Sequence, residues 1–269
     1  FISERGVDTV FGYIGGMITH LVDSLARSEK VRYIQTYHEQ TAAIAAEGFA
    51  IENGKFGVAI STSGPGATNM MTGIADAYFD SIPVLYITGQ VNSYEYKYDK
   101  PIRQQGFQET DIISIVKPIT KYAAFVDDAK NLRYELEKAI HIATTGRKGP
   151  VLLDIAMNVQ RTDINPDELL GYKDDVNPIE EKFDLTEIVD LFSKSKRPMV
   201  LLGSGCIGSE VQKHLENFIF NHEIPVVTSL MGRGAVDETY KYYIGMVGSY
   251  GNRCANIAIS QADLLIVLG

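Results

Sequence analysis

Cysteine is nearly absent: Cys206 and Cys254 are the only two in 269 residues. They lie too far apart for a metal-ligand spacing and are too few for a secreted disulfide framework, so a reducing, cytoplasmic setting is expected. Positive charge is also scarce, with 25 Lys and Arg against 34 Asp and Glu and a formal charge of −9. That balance argues against a nucleic-acid surface and leaves small molecules as the expected partners. No apolar run reaches membrane-spanning length, and no basic region followed by an apolar one stands at the start, so no membrane role is expected. An initiator methionine is missing as well. The chain opens on Phe1 in "FISERGV", which reads as the tail of a helix, and stops on Gly269 at the end of a strand-like run. A fragment of a longer protein is the expectation.

What is present is an ordinary globular composition, 45% hydrophobic and long enough for two domains. Short β-rich runs alternate with helical patterns: "TVFGYI" (9–14), "VRYIQTY" (31–37), "FGVAIST" (56–62), "IPVLYIT" (82–88) and "GPVLLDIA" (149–156). These runs are continuously apolar rather than alternating, as suits parallel strands covered on both faces by helices. The expected class is α/β, with two doubly wound parallel-sheet domains. Residues 162–183, "TDINPDELLGYKDDVNPIEEKF", are acidic, polar and carry two prolines, as a linker would. The expected division is therefore 1–161, a linker over 162–183, and 184–269. The second part repeats the grammar, with helices near 185–194 and 208–221 and strands "PMVLLG" (198–203), "IPVVTSL" (224–230) and "ADLLIVLG" (262–269).

Three turns follow successive strands of the first domain and would share its carboxyl edge, where such folds bind ligands. "STSGPGATN" (61–69) allows a tight turn whose amides face a ligand, or an ordinary strand-to-helix turn capped by Ser63 or Thr68. "GYIGG" (12–16) is similar and weaker. "TYHEQTAAIAAEGFA" (36–50) sets Glu39 at the lip of an apolar segment. There it serves as a helix-start carboxylate favoured by the dipole, or as an acid held for chemistry.

Together "FGYIGG", "HEQTAAIAAEGFA", "TSGPGATNMMTGIADAYFDSIPVLYITGQV", "GFQETD" and "IATTGRKGPVLLDI" closely resemble the pyrimidine-binding domain of thiamine-diphosphate enzymes, nearest to the acetolactate synthase family. "SLMGRGAVDE" (229–238) and "GMVGSYGNRCAN" (245–256) resemble that family's central domain, truncated here. The resemblance implies that Glu39 binds N1′ of the cofactor's aminopyrimidine and promotes loss of the C2 proton, after which a 2-oxo acid is decarboxylated and ligated. It implies cofactor contacts for Ile14, Gly15, Pro65 and Asn69, and a substrate channel lined by Phe107, Gln108 and Met157. His38 either positions its neighbours or satisfies the strand end. For the central domain it implies FAD held in an extended, non-redox form, or ADP, or nothing, with Gly203, Gly205, Met231, Gly232 and Gly248 in the contacting segments. Mg²⁺ is implied as a further cofactor, but no "GDG" followed by asparagine is present to hold it, and no metal ligand is assigned in this chain. That motif belongs to the family's third domain. The resemblance also implies branched-chain amino acid biosynthesis and a homodimer or tetramer assembled through the pyrimidine-binding domain, so this chain is expected to hold half an active site and little activity.

The departures from the family pattern concentrate near substrate selection. Ile14 replaces the usual proline of "GYPGG", and Met157 and Asn158 replace the lysine and aspartate of "DIPKDVQ". A thiamine-diphosphate enzyme with another donor or acceptor, in sugar or polysaccharide metabolism, is thus a second reading. A nucleotide-binding module without chemistry is a third, against which Glu39 speaks. The tyrosine-rich stretch "NSYEYKYDKPIRQQ" (92–105) is read either as a cover for the site entrance or as a solvated loop.

Overall fold

The computed structural model describes residues 1–174, 184–208 and 212–269. The chain divides into two compact units, Phe1–Asn177 and Pro178–Gly269. Among the described residues no helix is long and apolar enough to cross a membrane.

The first unit runs β1 (Thr9–Gly12), α1 (Thr19–Ala26), β2 (Arg32–Gln35), α2 (Glu39–Asn53), β3 (Gly57–Ser61), α3 (Pro65–Asn69), α4 (Met71–Asp80), β4 (Val84–Gln90), α5 (Ile112–Val116), β5 (Tyr122–Val126), α6 (Leu132–Thr144), β6 (Val151–Ala156) and α7 (Met157–Gln160). Its six strands form one sheet in the order β2-β1-β3-β4-β6-β5, every pair parallel. Every residue of β3, β4 and β6 is buried, which is why their sequences are apolar throughout rather than alternating. Two apolar layers result, one on each face of the sheet.

Small residues let the helices come close. A Cβ on Gly57 would lie 1.9 Å from the Ala46 carbonyl oxygen, so glycine is what permits α2 to rest directly on β3. The same helix presents Ala42, Ala43, Ala46 and Ala50 inward and ends at Gly54, whose φ of 70° closes it in the left-handed region. The N-terminal residues form a 3₁₀ turn, Ser3–Arg5, ended by Gly6.

β5 is a strand the apolar pattern did not announce. It lies at the sheet edge, half-buried over most of its length. The expected linker also differs in its first half. The Pro166 carbonyl accepts from Arg133 Nη1, Glu137 on α6 accepts the Tyr172 amide, and Tyr172 packs edge-on against Tyr134, so residues 165–172 are docked on the first unit. Polar composition there reflects attachment through hydrogen bonds. Residues 175–183 lie outside the described residues.

The second unit runs α8 (Thr186–Lys194), β7 (Pro198–Leu202), α9 (Gln212–Asn221), β8 (Val226–Thr228), β9 (Tyr243–Met246), α10 (Arg253–Gln261) and β10 (Leu264–Leu268). Its parallel sheet has the order β10-β7-β8-β9. β9 runs into the start of "GMVGSYGNRCAN" and is a strand that the sequence reading did not include. The helix expected from 208 is described from Gln212, and 209–211 lie outside the described residues.

Candidate functional site

All strands of the first sheet are parallel, so the loops after β1, β2, β3, β4 and β6 leave from one edge. Three of them are locked together. The amide of Met17 donates to Thr62 Oγ1 at 3.1 Å, joining the β1 loop to the β3 loop, and a Cβ on Gly15 would sit 2.4 Å from that of Thr62. Gly89 in β4 leaves room for the Met17 carbonyl, which also accepts from Gln160 Nε2 at 2.8 Å. The "GYIGG" segment is thus fixed by β3, β4 and α7, with Ile14 exposed on its outer side.

After β2, Thr36 donates through Oγ1 to the His38 carbonyl at 3.0 Å, and His38 Nδ1 accepts the Gln40 amide at 3.1 Å. His38 is therefore the residue that caps α2. Glu39 is the first helical residue, buried at 6% exposure, with its carboxylate at the favourable end of the helix dipole. Asn69, at the end of α3, donates through Nδ2 to Glu39 Oε2 at 2.9 Å. Among the described residues Oε1 accepts no hydrogen bond. It lies 3.0 Å from where a Cβ of Gly66 would be, so the second glycine of "GPG" leaves space beside that oxygen. Pro65 opens α3 and is exposed; Gly64 before it has φ 61°. Neither Ser63 nor Thr68 caps that helix, and Ser63 Oγ is buried with no hydrogen-bond partner among the described residues.

Gln108 meets this loop from the other side. Its Cβ and carbonyl lie 2.9 Å from the Cβ position of Gly64, and its own φ is 56°, a left-handed conformation unusual for a non-glycine residue. Phe107 beside it is 76% exposed, a large apolar ring held in solvent. A buried polar network outside the sequence expectations holds this turn. Glu109 accepts the amides of Lys97, Gln105 and Gly106 at 2.9, 2.7 and 2.9 Å. Gln90 Nε2 donates to the Thr110 carbonyl at 2.9 Å and to Asp154 Oδ2 at 2.8 Å, and Thr88 donates to Asp154 Oδ1 at 2.7 Å. Burial pushes the Asp154 acid up to about 7 despite these two donors. "GFQETD" carried Glu109 in plain view, but the strand positions of Gln90 and Asp154 held no local signal.

Met157 begins α7, half-buried, on the same edge but two strand places from β3. Its neighbour Asn158 accepts the Ser93 amide at 2.7 Å and donates to Ser93 Oγ, tying α7 to the loop after β4. The tyrosines of 92–105 follow neither expectation as a group. Tyr96 and Tyr98 pack on Phe125 of the edge strand β5, Tyr98 donates to Asp127, and Tyr94 is exposed.

In the second unit, Gly203, Gly205 and Gly232 also meet at a carboxyl edge, but through backbone. A Cβ on Gly203 would lie 2.4 Å from the Gly269 carbonyl oxygen, one on Gly205 3.0 Å from the Gly269 Cα, and one on Gly232 2.1 Å from the Leu202 oxygen. Met231 is exposed, and Gly248, with φ 111°, faces open space. A cavity of about 420 Å³ lies beside this last turn, lined by Arg233, Tyr243, Met246 and Tyr250 among others. Arg233 is paired there with Glu238 at 3.0 Å.

Residues 1–115 match the thiamine pyrophosphate enzyme N-terminal TPP binding domain, and 185–269 match the thiamine pyrophosphate enzyme central domain. The chain is similar over its whole length to a probable acetolactate synthase large subunit of Methanocaldococcus jannaschii, at 39% identity over 45% of that protein. It is likewise similar to the chloroplastic acetolactate synthase of Arabidopsis thaliana, at 38% identity over 40% of it, and to the acetolactate synthase large subunit of Corynebacterium glutamicum, at 39% over 42%. The chain thus spans less than half the length of these curated relatives.

Proposed function

The chain belongs to the thiamine pyrophosphate enzyme family, and on that premise we propose that it is the part of an acetolactate-synthase-like enzyme that receives the aminopyrimidine of thiamine diphosphate. One observation carries the reading: a buried glutamate has one carboxylate oxygen held by Asn69 and the other beside the space that Gly66 leaves. A nucleotide-binding module would have no use for an acid so placed. The residues fit the group, since a carboxylate oxygen free of donors in a dry setting is suited to a ring nitrogen that shares its proton. Thiamine diphosphate, when bound, supplies a thiazolium carbon able to add to a 2-oxo acid and accept the electrons left by decarboxylation.

The rest of the work falls to this chain's side chains. Glu39 holds or releases a proton at Oε1 while Asn69 keeps the carboxylate from rotating. Ile14, Gly15 and Pro65 stand on the same edge as further cofactor contacts, Gln108 braces the "GPG" loop at Gly64, and Phe107 offers an exposed apolar face. Met157 stands where a charge would otherwise select the substrate carboxylate. Its thioether favours an apolar or bulkier partner, so the donor and acceptor differ from two pyruvates.

Mg²⁺ and the cofactor diphosphate are held, in this reading, by residues outside this chain. FAD in the second unit is proposed on Gly248, Met231 and the adjacent cavity, because the other glycines there are accounted for by backbone packing. Self-association through the first unit is supported by exposed Ile44 and Ile51 on α2 and Tyr78 and Phe79 on α4. A cytoplasmic setting completes the proposal.

The test uses the longer protein. Glu39→Gln keeps the shape and the Asn69 partner but cannot exchange the proton. Hydrogen exchange at C2 of thiamine diphosphate is expected to fall by two or more decades, on the order of a lost general acid. Exchange at the parental rate would overturn the assignment. Comparing acetolactate formation by the parent and by its Met157→Lys variant tests specificity separately. Efficient condensation of two pyruvates by the parent, unchanged by the lysine, would restore a plain acetolactate synthase.

A further inference from the structure

Helices α2 and α4 approach closely because Gly73 has no side chain where a Cβ would lie 2.6 Å from that of Ala43. About one turn farther along α2, and about one and two turns farther along α4, acids meet. Glu47 of α2 and Asp76 and Asp80 of α4 each bring a carboxylate oxygen within 4.8 Å of the other two. Their exposure is graded: Glu47 is buried at 5%, Asp80 is half-buried and Asp76 is open to solvent.

Three acids alone would be a repulsive patch on a surface, but the buried member changes the problem. Glu47 Oε2 is sealed from solvent and meets no hydrogen-bond donor among the described residues. Its contact with Asp76 is carboxyl to carboxyl and needs a shared proton. None of the ion pairs among the described residues involves these three side chains. Burial, then the charges of Asp76 and Asp80, push the Glu47 acid up to about 7. A buried carboxylate oxygen without a donor is costly, and a positive charge placed between the three groups removes the cost and the repulsion together.

We propose that Glu47, Asp76 and Asp80 form a binding site for a hard divalent cation, with Ca²⁺ the best match. The donor set is all carboxylate oxygen, which disfavours metals that seek nitrogen or sulfur. Ca²⁺ takes oxygens at about 2.3–2.6 Å, so a coordination sphere about 4.6–5.2 Å across accommodates three oxygens with this spread. Water completes the shell through the open side at Asp76. Mg²⁺ demands near-ideal octahedral geometry, which one buried and two outer carboxylates on two rigid helices do not prearrange. The site is independent of Glu39 and of any thiamine-dependent activity.

The experiment is calorimetric titration of the chelator-treated chain with Ca²⁺ and, separately, Mg²⁺. With three carboxylates and the remainder water, a Ca²⁺ dissociation constant of roughly 0.1–1 mM is expected, with weaker Mg²⁺ binding. Saturating Ca²⁺ should also raise the melting temperature of the first unit by about 2–4 °C. Glu47→Gln and, as a surface variant that leaves the helix packing alone, Asp76→Asn should each weaken Ca²⁺ binding by about tenfold or more. Three results would overturn the proposal: no heat or melting shift up to roughly 10 mM Ca²⁺, ten times the weaker bound, binding equal in parent and both variants, or self-association that depends on Glu47 while Ca²⁺ has no effect. The last would mean that a cationic side chain of a second copy fills the position.

Discussion

The two sheet edges carry glycine-rich turns that look alike in sequence and differ in what the glycines touch. At the first edge, Gly66 abuts side chains: a Cβ there would lie 2.7 Å from Thr62 Cγ2, 2.8 Å from Ser61 Oγ and 3.0 Å from Glu39 Oε1. At the second, Gly203 and Gly232 abut the carbonyls of Gly269 and Leu202. Buried polarity follows the same division. The first unit buries Glu39, Glu47, Glu109 and Asp154, whereas Thr228 is the one buried polar side chain of the second among the described residues. On the function proposed above, the glycine that makes room for an acid serves chemistry, while a glycine that makes room for a backbone serves packing.

Two alanine substitutions break this comparison if it is wrong. Gly66→Ala in the longer protein should lower turnover by about a hundredfold, the scale expected when a reacting group is displaced by an ångström, while the first unit still melts cooperatively. Gly232→Ala should instead cost the second unit about 1–3 kcal/mol by overpacking against a carbonyl that cannot move aside. Its melting temperature reports that loss, and residual turnover per folded molecule should stay near parental. Equal behaviour of the two variants would erase the distinction.

The buried acids offer a sharper contrast, because they make the first unit's stability depend on pH. The folded-state acid of Asp154 lies at about 7 against an ordinary value of 3.8, so the folded chain binds the extra proton between those limits. Stability from this group is therefore full below about pH 4, falls as pH rises toward 7 and stays low above it. The limiting slope is about 1.4 kcal/mol per pH unit for one such group. Asp154→Asn keeps an acceptor oxygen for Gln90 and presents an N–H that the Thr88 hydroxyl can turn to accept, so it should flatten the loss, as read from melting of the first unit between pH 4 and 8. Glu47, also raised to about 7, acts with the same sign, so roughly half the dependence should survive in Asp154→Asn. The second unit, without a buried carboxylate among its described residues, should show none of it.

Legibility in the sequence followed locality. Strands buried on both faces, β3, β4 and β6, are continuous apolar runs and were readable as such. β5 is half-buried at an edge, and β9 contains Gly245 at φ 122° and a register shift against β8, so neither presents an unbroken pattern. The first half of the expected linker misled because polar residues that dock by hydrogen bonds resemble polar residues that float. At the site, Glu39 and the "GPG" turn were visible because each is defined by its neighbours in sequence. The bond between Asn69 and Glu39 spans 30 positions, and the one between Gln90 and Asp154 spans 64. Such partnerships exist only after α2, α3 and the parallel strands are in register.

The smallest expected effect concerns that first partnership. Asn69 is exposed, so Asn69→Ala removes no packing, and the melting temperature of the first unit should scarcely change. What it removes is a donor to one oxygen of a charged group, a contact worth about 1.5–3 kcal/mol when the acceptor is ionised. Water reaches an exposed position and replaces part of it, which brings the expected loss of turnover to about tenfold, with KM little affected because Asn69 orients Glu39. Asn69→Asp separates orientation from mere occupancy: it keeps the shape, offers no donor when ionised and sets a like charge against Glu39. Its turnover should fall below that of Asn69→Ala at neutral pH and recover partly on acidification, when the new carboxyl regains a proton to donate. If both variants turn over like the parent at every pH, the backbone of α2 alone holds Glu39 in place and the link to α3 is incidental.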